Sequence, residues 1–238
     1  MSEKDEVSGS LDLLRIQGLL FDVDGTLSDT DDLMVKEIIG FLKPLHWLFK
    51  DRDPHDFSRW LVMFSETPAN FLYSLTDRVG LDGVIASVYN WLAQKGSDKP
   101  HEDDAHKLIP GVKEMLEELS ERFPMAVVSA RDKHSTMRFL QYFDLVPYFK
   151  TIVTSQTCNH TKPFPDPVEF AAEQLGLTPG DCLMIGDTIV DVRSGKAAGA
   201  QTLAVLCGFG TQRELKRAGA DLILSNTPDL LKILQTTN

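Results

Sequence analysis

The chain is poor in cysteine: Cys158, Cys182 and Cys207 are its only three in 238 residues, with no C-x-x-C pair among them. That number and spacing exclude a disulfide framework and argue against a structural zinc site. Cys182 and Cys207 stand in apolar runs and read as small core residues, which fits a reducing compartment and an expected cytoplasmic location. No uninterrupted apolar run approaches the roughly 18 to 20 residues that cross a membrane. The N-terminus lacks the basic-then-apolar order of a secretory signal, and residues 1–10 are expected to be a disordered tail. Basic residues are outnumbered, with 24 Lys and Arg against 35 Asp and Glu and a net charge of −11. No basic stripe is present to meet nucleic acid or an anionic lipid surface. An anionic substrate would be repelled at long range, so any phosphate site must be made positive locally.

What the sequence has is a rhythm. Short apolar runs recur at 16–21, 125–128, 151–154, 182–185, 202–206 and 221–224. Each is nearly continuous in hydrophobicity, as a strand covered on both faces requires. Helical patterns lie between them. One begins near Pro110 with Val112, Met115, Leu116 and Leu119 on one face, and others are predicted over 135–142, 166–175, 191–198 and 213–218. A last helix starts at Thr227-Pro228, with threonine as N-cap and proline at the first helical position. Strands alternating with helices predict an α/β fold, a Rossmann-like doubly wound parallel sheet. Residues 31–105 break the rhythm: their apolar residues recur at helical spacing and their borders are polar. The expected organisation is a core built from 11–30 and 106–238, with 31–105 as an inserted, all-helical cap.

In an open parallel sheet, ligands bind beyond the carboxyl ends of the strands. The first run ends in Asp22-Val23-Asp24-Gly25-Thr26, the second in Ser129-Ala130-Arg131, and the fourth in Gly186-Asp187 with Asp191 close behind. Lys162 follows the third, at some distance. Crowded carboxylates need a counterion, and oxygen donors without His or Cys favour a hard cation such as Mg2+. A carboxylate can attack phosphorus, and a second carboxyl two residues on can act as acid and base. Gly25 would let the main chain approach the phosphate.

These residues resemble the four motifs of the haloacid dehalogenase (HAD) superfamily: Asp22-x-Asp24-Gly25-Thr26-Leu27, Ser129, Lys162-Pro163-x-Pro165 and Gly186-Asp187-x-x-x-Asp191. The order and spacing agree, and the helical insertion sits where members with a C1 cap carry theirs. Gly208-Phe209-Gly210-Thr211 and Ala218-Gly219-Ala220-Asp221 look like the phosphoglycolate-phosphatase-like branch. The resemblance implies Asp22 as nucleophile and metal ligand, and Asp24 as general acid and base with its carbonyl on the metal. It implies Asp187 as a further ligand and Asp191 as a ligand or its supporting partner. Ser129 and Lys162, with Gly25 and Ala130, would bind phosphate. Thr26 would orient the loop. Arg131, directly after Ser129, reads as a group that holds phosphate or faces a cap residue, or equally as one half of a surface salt bridge. The activity it implies is a magnesium-dependent phosphatase acting on a small phosphorylated metabolite, as a monomer or homodimer. A phosphomutase using the same aspartyl-phosphate and a non-catalytic binding scaffold remain the alternatives. Asp24 argues against dehalogenation, since halide departs without a proton.

Overall fold

The computed structural model describes residues 11–29 and 107–235. The expected tail at 1–10 and cap at 31–105 lie outside the described residues. Six strands form one sheet: β1 (Gly18–Phe21), β2 (Met125–Val128), β3 (Thr151–Val153), β4 (Cys182–Gly186), β5 (Gln201–Val205) and β6 (Leu222–Leu224). Their order across the sheet is β3-β2-β1-β4-β5-β6. Every pairing is parallel. Among the described residues six helices accompany them: α1 (Val112–Ser120), α2 (Lys133–Tyr142), α3 (Asp166–Leu175), α4 (Ile189–Ala198), α5 (Gln212–Ala218) and α6 (Leu230–Leu234). None is long and apolar enough to cross a membrane.

Why the strands read as continuous apolar runs is clear from where alternate side chains go. Leu19, Phe21, Met125, Val127, Leu183 and Ile185 enter one core, against Val112, Met115, Leu116 and Leu119 of α1 and Phe139 and Leu140 of α2. Their neighbours Leu20, Ala126, Val128, Cys182 and Met184 enter the other, against Val168, Ala171 and Ala172 of α3. Ala204 of β5 meets Val192 of α4 and Leu215 of α5 on that second side. Leu230 and Leu234 of α6 return to the first. A period-2 chain with helices over both faces has no polar face to show. Each Val, Leu, Ile, Phe or Met side chain among them, fully buried, contributes roughly 1.5–3 kcal/mol.

Two helices begin earlier than the apolar spacing predicts. Asp132 accepts hydrogen bonds from the backbone N–H groups of His134 and Ser135, at 2.8 and 3.1 Å, so α2 starts at Lys133. Thr188 caps α4, so Asp191 lies inside the first turn instead of opening the helix. The chain after β6 makes a 3-10 turn at Thr227–Asp229 before α6.

The strand order fixes where the chemistry can sit. From β1 the chain moves outward through β2 to β3, then returns to lay β4 on the other side of β1. The direction of winding therefore reverses beside β1, and the crevice beyond the carboxyl ends of β1 and β4 is the place for a ligand.

Candidate active site

Asp22 is the first residue after β1 and Asp187 the first after β4. The Asp22 amide continues the sheet ladder, donating to the Ile185 carbonyl at 2.9 Å. Asp22 is thereby placed by backbone pairing at the strand end. The chain then turns tightly: the amides of Leu27 and Ser28 both donate to the Val23 carbonyl, at 2.9 and 2.8 Å. Gly25 takes a φ of +67° in this turn. A side chain there would be strained and would also run into the Asp187 carboxylate. Thr26 is fully buried, and its carbonyl accepts a 2.6 Å hydrogen bond from the Thr227 hydroxyl.

Asp22, Asp187 and Asp191 each turn a carboxylate oxygen into a space where these atoms lie within 4.8 Å of one another. All three residues are buried. Lys162, itself only 4% exposed, donates to Asp22 Oδ1 at 2.7 Å and to Asp191 Oδ1 at 2.5 Å. The other oxygen of Asp191 accepts from the Thr188 amide at 3.0 Å and hydroxyl at 2.6 Å. Asp191 is thus a helix-capping residue through Oδ2 and a partner of Lys162 through Oδ1, while standing within the acidic cluster. Asp187 Oδ2 accepts from the Phe209 amide at 2.7 Å. Gly208 presses so close that any Cβ on it would overlap that carboxylate.

One ammonium against three carboxylates leaves an excess of negative charge. At 4.8 Å and an effective dielectric near 20, each like-charge pair costs about 3 kcal/mol. Burial lifts the Asp22 carboxyl to about 8; Lys162 pulls it down, while the charges of Asp191 and Asp24 push it up. Lys162 is held above its ordinary value: burial acts to lower it, but the Asp191 and Asp22 carboxylates outweigh that. Carboxylate oxygens alone, converging at this spacing, fit a hard divalent cation.

The sign of the pH dependence follows. Between 3.8 and about 8 the folded chain retains a proton on Asp22 that the unfolded chain has released. That contribution to stability is lost as pH rises through the window. In chelator, the melting temperature of wild type relative to Asp22→Asn is expected to fall from about pH 5 to about pH 8. Stabilisation by added magnesium should grow over the same range, because the ion and the proton compete. A magnesium increment independent of pH would contradict this electrostatic account.

Asp24 stands apart from the cluster. Arg131 Nε and Nη2 donate to its Oδ2 and Oδ1, a two-pronged pair across 107 residues of sequence. The Arg131 amide donates to Ser129 Oγ at 3.1 Å, and its guanidinium carbon lies 5.6 Å from the centre of the Phe139 ring. Ser129 follows β2, buried, with its amide on the Val153 carbonyl at 2.9 Å. Ala130 is half-buried in the same turn. The cluster of carboxylate side chains is therefore Asp22, Asp187 and Asp191, with the Asp24 carboxylate directed to Arg131.

Three contributors escaped the sequence reading. Thr188, at an unspecified position within the Gly186–Asp191 motif, Phe209 through its amide, and Thr227 each hold a site residue. The Gly208-Phe209-Gly210 stretch was the available signal, since adjacent glycines after a strand permit close backbone approach.

Pyrophosphatase PpaX of Anoxybacillus flavithermus is 29% identical over 227 residues, covering 94% of this chain and all of that protein. A haloacid dehalogenase-like hydrolase from Streptococcus pneumoniae superposes with a TM-score of 0.67 at 22% identity, over 93% of this chain and 100% of that one. A protein described as a predicted phosphoglycolate phosphatase from Haemophilus somnus gives 0.61 at 20% identity, over 92% and 98%. These two likenesses establish the shared fold. The sequence model of the haloacid dehalogenase-like hydrolases matches residues 19–205, a span from β1 through β5 that takes in Asp22, Ser129, Lys162 and Asp187, and the chain belongs to that family.

Proposed function

We propose that this hydrolase is a magnesium-dependent phosphatase that cleaves a small phosphate monoester through an aspartyl-phosphate on Asp22. The observation that carries the reading is the buried set of Asp22, Asp187 and Asp191 bridged by Lys162. The pyrophosphatase activity in the name of the Anoxybacillus relative lends support to phosphoryl chemistry. It also brings inorganic pyrophosphate forward as a substrate beside phosphoglycolate-like acids and sugar phosphates.

In this mechanism Asp22 attacks phosphorus in line with the departing oxygen. Ser129 Oγ and the main chain around Ala130 and Gly25 position the phosphoryl oxygens, and the Lys162 ammonium offsets their charge. Asp24 protonates the departing oxygen, then takes a proton from the water that attacks the acyl-phosphate, which returns Asp22 and releases phosphate. Asp22, Asp187 and Asp191 would hold magnesium, whose charge neutralises the phosphoryl oxygens in the transition state. The segment 31–105 is proposed as the cap that reads the rest of the substrate and excludes water.

The test is phosphate release from 2-phosphoglycolate, hexose phosphates and pyrophosphate, with magnesium and in excess chelator. Turnover should fall to background in chelator and return with magnesium. Full activity without a divalent ion would overturn the reading.

A further inference from the structure

We propose that Arg131 selects the leaving group, and that the group it selects carries its own negative charge, a carboxylate or a second phosphoryl group near the bridging oxygen. The inference rests on the phosphatase reading and extends it to substrate class.

The geometry is restrictive. For Asp24 to protonate the bridging oxygen, its carboxylate must come within hydrogen-bond distance of that atom. Arg131 grips both oxygens of the same carboxylate. The guanidinium and the bridging oxygen therefore both lie within the reach of one short Asp24 side chain and are neighbours. The guanidinium stands on the leaving-group side, because the transferred phosphoryl group is the province of Asp22, Ser129 and Lys162. The fork is also fixed in place. Its side chain is only 15% exposed, its amide is tied to Ser129, and it lies over the Phe139 ring. A planar, fixed guanidinium recognises carboxylate and phosphate through two parallel hydrogen bonds.

An anionic leaving group can thus take the place of Asp24 on Arg131. One carboxylate-type partner replaces another, so the guanidinium keeps its charge pairing throughout. The same exchange frees Asp24 to turn to the bridging oxygen. An alcohol leaving group offers Arg131 nothing in exchange, and Asp24 stays gripped. The discrimination should accordingly appear in kcat as well as KM. In a chain with a net charge of −11, this buried fork is also a local attraction for an anionic substrate.

The experiment compares full-length wild type, Arg131→Met and Arg131→Lys on 2-phosphoglycolate, pyrophosphate and propyl phosphate, with magnesium throughout. The ratio of kcat/KM for each charged-leaving-group substrate to that for propyl phosphate should fall about 30-fold in Arg131→Met, the scale of a charge-assisted bidentate contact. Much of the loss should be in kcat, and Arg131→Lys should fall between the other two. A larger fall for pyrophosphate assigns a phosphoryl partner; a larger fall for 2-phosphoglycolate assigns a carboxylate. Losses equal within about threefold on all three substrates would mean a structural ion pair and overturn the proposal. If Arg131→Met does not fold, the lysine variant carries the same comparison. Wild type that releases phosphate from none of the three would remove the phosphatase reading and this inference together, whereas equal losses remove this inference alone.

Discussion

Asp22→Asn is expected to lower phosphate release on the order of 10⁴-fold or more while leaving the protein folded, the scale on which removal of a covalent nucleophile acts. The amide keeps the size of the carboxyl and one carbonyl oxygen to accept the 2.7 Å hydrogen bond from Lys162. It loses the charge and the lone-pair reactivity that bond formation with phosphorus needs. At neutral pH in chelator the folded wild type must hold on Asp22 a proton that the unfolded chain has released, a cost the neutral amide does not carry. The variant should therefore melt above wild type at neutral pH in chelator. Steady-state kinetics beside a melting curve read both effects. Activity within tenfold of wild type in a folded variant would exclude Asp22 as nucleophile.

Asp24→Asn should cost about 10²- to 10⁴-fold, the range of general acid–base catalysis, and its size should depend on the leaving group. 2-Phosphoglycolate, whose alkoxide departs poorly without a proton and whose carboxylate can take the place of Asp24 on Arg131, is expected to suffer most. An aryl phosphate with a nitrophenolate leaving group needs little help and should suffer least in the first step. Magnesium affinity should change little, because the Asp24 carboxylate is held by Arg131 and not by the Asp22–Asp187–Asp191 cluster. Comparing kcat for the two ester types separates this role from a positional one. Equal losses on both would place Asp24 outside proton transfer.

The fold was legible because the period-2 burial of six short strands leaves a continuous apolar signature, and the groups after β1, β2 and β4 follow directly from strand ends. Asp22, Ser129 and Asp187 needed only that rule. Lys162 was harder, since it belongs to a loop and reaches the site through a long flexible side chain. Its bridging of Asp22 and Asp191 depends on distances no local pattern encodes. Asp191 read as either a helix cap or a ligand; one of its oxygens caps α4 and the other pairs with Lys162, a combination that the local pattern does not announce. The Asp24–Arg131 pair was out of reach because it joins two loops from separate strand ends. The early start of α2 was missed for a smaller reason: Asp132 was an N-cap signal, but the apolar spacing placed the boundary later.

The contact of Gly25 and Gly208 with the Asp187 carboxylate has a consequence for how such a site ages. Two stretches of bare main chain form the wall on which this carboxylate rests, so its aim is inherited from the backbone path and not from the fit of neighbouring side chains. The apolar residues of both cores can be exchanged one by one, with Leu giving way to Ile or Met, without re-aiming the acid. A lineage can thus drift far in composition while the Asp187 carboxylate stays where it was.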